Sequence, residues 1–158
     1  MGTFYARNES GEYCVKLVKI TDKKKKEKTK IEVSALLRLK GNENIIAIKD
    51  TFKIKDQQEL YYGFVCELMP INLRQFLEMK KNKVSKKLLK DIFHKIGKGL
   101  SFIHSKFVVH NDLKLENVMV DPVSYNVKII DFGLSHVCST LSEAHTITSV
   151  RGTPFYFR

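Results

Sequence analysis

The order of local patterns predicts an α+β fold, with strands early in the chain and helices late. Three observations carry this reading. Apolar residues alternate with lysine from Tyr13 to Ile20, the two-residue period of a strand. Ile92, Phe93, Ile96, Leu100 and Ile103 recur every three or four positions further on, the period of an amphipathic helix. Pro70 falls between these two regimes. Strand runs followed by helical runs do not make the regular strand-helix alternation of a parallel sheet.

Taken in order, Tyr13 to Ile20 is the first predicted strand. Val33, Leu36, Leu37 and Leu39 lie near helical spacing, so Ile31 to Leu39 is a helix, ended by Gly41. Ile45 to Phe52 and Tyr61 to Leu68 are two more strands, joined by the polar turn Lys55-Asp56-Gln57-Gln58; Pro70 stops the second. Leu73, Phe76 and Leu77 make a short helix. Ser85 caps a longer one, carrying Leu88, Leu89, Ile92, Phe93, Ile96, Leu100 and Ile103. Val118 to Val120 and Val127 to Ile130 form a small hairpin around Asp121-Pro122. There are no internal repeats.

At 158 residues the chain is one domain or part of one, and 43% hydrophobic content supplies a sizeable core. No apolar run approaches the length of a membrane span, so no membrane partner is expected. The N-terminus lacks the charged-then-apolar pattern of a leader, which predicts an intracellular location, cytoplasmic or nuclear. Met1-Gly2 invites a myristoylation reading, but Ala6 stands where that signal wants Ser or Thr. Three scattered cysteines give neither a disulfide framework nor zinc spacing, and Cys14 and Cys66 read as buried small hydrophobes. The net charge is +11. Much of it is local, in Lys23-Lys24-Lys25-Lys26-Glu27-Lys28-Thr29-Lys30. A nucleic-acid or acidic-membrane surface is one reading of that run; a solvated basic loop ahead of the helix is the other. The second is preferred, because no aromatic residues interleave as a stacking platform for single strands requires.

The densest chemistry lies in His110-Asn111-Asp112-Leu113-Lys114-Leu115-Glu116-Asn117 and, fourteen residues after Asn117, Asp131-Phe132-Gly133. Together they supply an acceptor carboxylate, a cation, an amide oxygen and a metal-binding carboxylate. Phosphoryl transfer from a magnesium nucleotide needs that set, because a loose transition state leaves positioning and charge neutralisation as the main work. Alone, Asp112 would read as a turn-capping aspartate; beside Lys114 and Asn117 it reads as an acid-base group.

These segments resemble the catalytic and metal loops of the eukaryotic protein-kinase family, serine/threonine type. The resemblance runs along nearly the whole chain. Tyr13-Cys14-Val15-Lys16 is similar to the strand that carries the nucleotide lysine, and Lys30-Ile31-Glu32-Val33 to the glutamate of helix C. Cys66-Glu67-Leu68-Met69 is similar to the gatekeeper and hinge, and Gly152-Thr153-Pro154-Phe155-Tyr156 to the end of the activation segment. It implies a bilobal fold: a small β-rich N-lobe with helix C, about 1–69, and an incomplete helical C-lobe, about 70–158. It implies ATP and Mg2+ as cofactors and a protein Ser/Thr hydroxyl as substrate.

By the same resemblance Asp112 is the catalytic base and Lys114 reaches the transferred phosphate. Asn117 and Asp131 take magnesium through oxygen. Lys16 holds the α- and β-phosphates and pairs with Glu32. Glu67 and Met69 offer backbone groups to adenine; Cys14 and Met119 touch its two faces. Gly2 is the last glycine of a phosphate-covering loop. Ile48, Leu36, His110 and Phe132 form a stack that aligns the lobes. Thr153 steadies Asp112. Ser139, Thr140, Ser142, Thr146, Thr148 and Ser149 are candidate phosphorylation sites; a plain Ser/Thr-rich loop explains them equally.

Three departures stand out. Asn111 replaces the arginine that usually grips an activation-loop phosphate, so activation by loop phosphorylation is not expected. Only one glycine of the phosphate loop is present, and ATP binding should be weakened. The chain stops at Arg158, where the family continues through several helices. That predicts exposed apolar surface on the outer face of the helix around Ile92 to Ile103. The alternative to an active kinase is therefore a kinase-like binding protein whose exposed C-lobe takes a protein partner.

Overall fold

The computed structural model describes residues 2–81 and 83–139. Its first half is a four-stranded antiparallel sheet: β1 (Gly2–Asn8), β2 (Gly11–Lys19), β3 (Ile48–Asp56) and β4 (Glu59–Glu67), in the order β1-β2-β4-β3. β1 is an addition to the predicted strands. It folds back on β2 through a tight turn in which Ser10 N donates to Asn8 Oδ1 at 2.8 Å and Gly11 takes φ 139°. Only glycine holds that backbone without strain.

Between β2 and β3 lies α1 (Lys23–Arg38), and here the structure corrects the expectation. The lysine run is not a loop; it forms the first turns of the helix. Asp22 caps it by accepting from Lys25 N at 2.7 Å, and lysine is a good helix former. The inward face begins only at Thr29 and continues through Glu32, Ala35 and Leu36. Apolar periodicity therefore could not reveal the first turns.

The predicted strand from Ile45 also moves. Ile46 N donates to Ile129 O at 3.1 Å and Ile129 N to Asn44 O at 2.9 Å. Backbone groups around Ile45 are thus used by the second half of the molecule, and β3 starts at Ile48. The β3–β4 turn sits at Gln57, whose φ is 49°.

The second half contains β5 (Ile71–Asn72), α2 (Leu73–Met79), α3 (Lys86–Ser105), β6 (Val108–Val109), a single 3-10 turn (Leu115–Asn117), β7 (Val118–Val120), β8 (Val127–Ile129) and β9 (His136–Val137). β5, β7 and β8 make a small sheet; β6 pairs with β9. Asn72 and Gln75 close a reciprocal capping box on α2, and Ser85 caps α3 by accepting from Leu88 N. α3 buries Ile92, Ile96, Gly99 and Ile103. A Cβ at Gly99 would come within 3.0 Å of Ile129, so the glycine lets α3 press close onto β8. Each fully buried isoleucine contributes about 1.5–3 kcal/mol. The outward position next to this stripe, Phe93, is 61% exposed.

One contiguous apolar core joins the halves, running from Ala35, Leu36 and Leu39 through Ile48 and Phe64 to Val118, Ile129 and Phe132. Among the described residues no helix is long and apolar enough to cross a membrane.

Candidate active site

A cleft of 250 Å³ opens between the four-stranded sheet and the small sheet. Strand alternation decides what faces it. Ile20 N donates to Leu60 O. In the β2–β4 register this makes alternate pairs hydrogen-bonded, down to Lys16 opposite Phe64 and Cys14 opposite Cys66. Those four side chains all line the cleft.

On the sheet side, Lys16 Nζ lies 2.5 Å from Glu32 Oε1 of α1 and 3.5 Å from Asp131 Oδ1, and 5.6 Å from the centre of the Phe64 ring. Burial works to lower the Lys16 pKa, but the Glu32 and Asp131 carboxylates outweigh it and hold it above the ordinary value. Burial pushes the Glu32 carboxyl up, against the pull of Lys16. Asp131 adopts φ 63°, a left-handed backbone that aspartate tolerates. Its Oδ1 also accepts from Gly133 N at 3.4 Å.

On the other side the loop after β6 organises itself around His110. This ring is buried against Phe132, centroids 4.9 Å apart. Its Nε2 bonds Ile130 O at 2.9 Å, while Nδ1 accepts from Asp112 N at 3.2 Å. That pair of bonds describes a neutral imidazole, and burial lowers the His110 pKa in agreement. Asp112 is thereby held by its backbone. Its Oδ2 receives Lys114 Nζ at 2.8 Å and Asn117 Nδ2 at 3.0 Å; Asn117 Nδ2 also reaches Asp112 O at 2.8 Å. Asn117 spends its amide nitrogen on Asp112, which leaves its oxygen as the group available to the cleft. Asn111, at φ 64°, turns aside and donates to Leu134 O at 3.1 Å.

Of the site residues read from sequence, Cys14, Lys16, Glu32, Glu67, Met69, Asn117, Met119 and Asp131 line this cleft. Asp112 and Lys114 adjoin it through Asn117. Gly2 does not line it: it pairs with Leu17 in β1, and Thr3, one step along the alternating strand, faces the cleft instead. Leu36, Ile48, His110 and Phe132 are all buried. Thr153, the segment Gly152 to Tyr156, and Thr140, Ser142, Thr146, Thr148 and Ser149 lie outside the described residues.

Sequence reading missed Thr3, Ile46, Phe64 and Ile130, and it missed the use made of Glu67. Glu67 Oε1 accepts from Ala47 N at 2.7 Å and pairs with Lys128 Nζ at 2.9 Å; Lys128 also donates to Glu43 O. The side chain braces the end of β4, and the Glu67 backbone N–H adds to this by donating to Ala47 O at 3.0 Å. Alternation in β8 sets Lys128 apart from Val127 and Ile129, a signal for its face but not for its partner.

A larger hollow of 560 Å³ lies at the other side of α1, lined by Lys30, Val33, Leu37, Lys53 and Tyr62 among others. Among the described residues no acidic side chain lines it, so they supply none of the carboxylate ligands that a metal-bound phosphate requires.

Comparison with known proteins agrees with this geometry. The family described as protein kinase domain matches residues 3–158. The "Probable serine/threonine-protein kinase fhkD" of Dictyostelium discoideum is 33% identical over 162 residues, covering 95% of this chain and 20% of the relative. The "Probable serine/threonine-protein kinase MARK-B" of the same organism is 30% identical, covering 92% and 19%. CBL-interacting protein kinase 26 of Oryza sativa subsp. japonica is 29% identical, covering 97% and 31%. The chain spans about a fifth of the first two relatives' length.

Proposed function

The chain belongs to the protein kinase family, and from that premise we propose that it transfers the terminal phosphate of ATP to serine or threonine hydroxyls of a protein. The observation that carries this is the Lys16 ammonium held between Glu32 and Asp131, next to a loop that presents Asp112, Lys114 and Asn117. The hydroxyl preference rests on Lys114, two residues after Asp112, and on the serine/threonine-protein kinase names of the relatives.

The donor set fits a magnesium nucleotide. Asp131 and Asn117 offer carboxylate and amide oxygens, the hard ligands that magnesium takes, with an ammonium beside them for phosphate. When bound, magnesium neutralises charge on the triphosphate. Asn117 and Asp131 would hold it. Lys16, fixed by Glu32, binds the α- and β-phosphates without a search through rotamers. Cys14 and Met119 enclose the adenine, and the backbone of Glu67 and Met69 hydrogen-bonds its edge. Asp112 accepts the proton of the substrate hydroxyl; Lys114 sits between that carboxylate and the phosphate, where its charge offsets the negative charge being transferred. In this reading residues up to about 69 form one lobe and residues from about 70 the other, with the junction at residues 68–72.

The test is ATP-dependent phosphorylation of a generic basic protein by the chain and by Asp112→Asn. Transfer in the parent that disappears in the variant supports the reading. Equal transfer in both marks a contaminant, and no thermal shift with millimolar Mg-ATP removes the nucleotide site.

A further inference from the structure

Cys14 and Cys66 sit directly opposite each other on β2 and β4, and both line the cleft. The hydrogen-bond phase set by Ile20 and Leu60 makes them a hydrogen-bonded pair, for which the Cα separation is about 5.5 Å. Disulfides join Cα atoms about 4.4–6.8 Å apart. Both side chains leave the sheet on the same face, so the sulfurs lie side by side. Cross-strand Cβ atoms lie about 4.5–5.5 Å apart against about 3.5–4.5 Å in a disulfide, so closure draws the strands together slightly and gives a bond that is easily reduced again.

We propose that Cys14 and Cys66 form a reversible disulfide across the roof of the cleft, with a low-molecular-weight disulfide such as oxidised glutathione as the oxidant. Cys14 is the entry point, because it is partly exposed and Cys66 is buried. The Cys14 thiolate attacks one sulfur of the oxidant, forming a mixed disulfide and releasing one thiol. The Cys66 thiolate then attacks Cys14 Sγ, closing the internal bond and releasing the second thiol. Two protein thiols and one small disulfide become one protein disulfide and two small thiols.

Burial raises both thiols, Cys66 to about 12, while the nearby Lys16 ammonium pulls Cys14 down. Closure is therefore slow at neutral pH and begins at Cys14. Lys16 stands two residues from Cys14 on the same face, so tying β2 to β4 at this point acts on the wall that would meet a nucleotide. A bound nucleotide would in turn cover Cys14. This competition rests on the kinase reading; the disulfide itself does not.

The full chain is equilibrated in oxidised and reduced glutathione mixtures, free thiols are trapped by alkylation, and intact mass and joined peptides are read. The expected product has lost two hydrogens and joins position 14 to position 66, while Cys66→Ala stops at glutathione on Cys14. A parent chain that keeps both thiols at the oxidising end of the series overturns the proposal. So does one that carries glutathione on Cys14 and never closes. With saturating Mg-ATP, closure should slow by about tenfold or more, as expected if occupancy and oxidation exclude each other. Equal closure rates at a nucleotide concentration that shifts melting overturn the competition. A chain that closes the bond but shows no nucleotide-dependent melting shift when reduced upholds the disulfide and overturns the kinase reading.

Discussion

Below the cleft, Asp112 and Asn117 come from one loop and bond each other across five positions, with Lys114 between them; above it, Lys16 meets Glu32 and Asp131 across 16 and 115 positions. The lower group needs only its loop and the His110 peg. The upper group exists only while α1 lies on the sheet and Asp131 follows β8. A pair assembled across elements can be lost while the fold stays intact, because it depends on how two bodies dock. A pair inside one loop is lost only when the loop itself is lost. The comparison therefore assigns chemistry to the lower wall and sensitivity to conformation to the upper one.

The largest expected effect tests the lower wall. Asp112→Asn removes the proton acceptor but keeps a hydrogen-bonding side chain for Lys114 and Asn117. Phosphate transfer should fall by about 10³-fold, within the range general-base groups supply, while Mg-ATP still raises the melting temperature. If nucleotide stabilisation disappears too, Asp112 is holding the cleft together and the division of roles is wrong.

Glu32→Gln tests the upper wall. It leaves Lys16 with Asp131 alone, and the ammonium should drift toward that carboxylate. A loss of about a hundredfold in kcat/KM is expected, as for removal of one preorganised electrostatic contact. Nucleotide affinity should weaken with it, unlike the Asp112 variant. Unchanged steady-state kinetics would mean that the ion pair is not what positions Lys16.

The same contrast explains what could be read in advance. The lower wall was legible because its residues are adjacent: His110 to Asn117 is one motif, and the hairpin of β7 and β8 follows from two short apolar runs around Asp121-Pro122. The upper wall was legible only as separate candidates. β2 and β4 are neighbours in the sheet but not in sequence, so nothing local says that Lys16 faces Phe64 or that Cys14 faces Cys66. Likewise the exposed lysines of α1 lack apolar periodicity and read as a loop; the information lay in Asp22, a cap with no apolar residue behind it until Ile31. Gly2 was one residue out of phase with Thr3, which a strand converts into the opposite face.

His110 offers a smaller test of the lower wall's peg. Its neutral form is favoured in the fold, so its pKa lies below the ordinary 6.5. Between those two values the unfolded chain has bound a proton that the folded chain has not. The contribution to stability is therefore full above pH 6.5 and declines as pH falls toward the folded value, by at most about 1.4 kcal/mol per pH unit. His110→Gln keeps an amide donor for Ile130 O but cannot titrate. Denaturant midpoints from pH 7 to 5 should fall less steeply in the variant than in the parent; parallel curves would mean that His110 is not held neutral.

The smallest effect asks how far out along α1 the upper wall reaches. Lys23, Lys24, Lys25 and Lys26 open this helix with no acidic residue in its first turn, and their charges oppose the helix dipole. Asp22 offsets this: its carboxylate accepts from Lys25 N and Thr21 Oγ1, and the backbone bond holds its pKa below the usual range. Asp22→Ala should let the lysine turns fray, seen as faster amide hydrogen exchange at 25–28. Glu32 lies beyond those turns, and the helix is anchored by Ala35, Leu36 and Leu39 in the core. Phosphate transfer should therefore change by no more than roughly twofold, since fraying of exposed end turns is separable from the docked ones. A tenfold loss would mean that the lysine-rich turns and the Lys16–Glu32 pair form one cooperative unit. The upper wall would then respond to whatever neutralises those lysines, and its sensitivity would begin at the surface of the molecule rather than in its core.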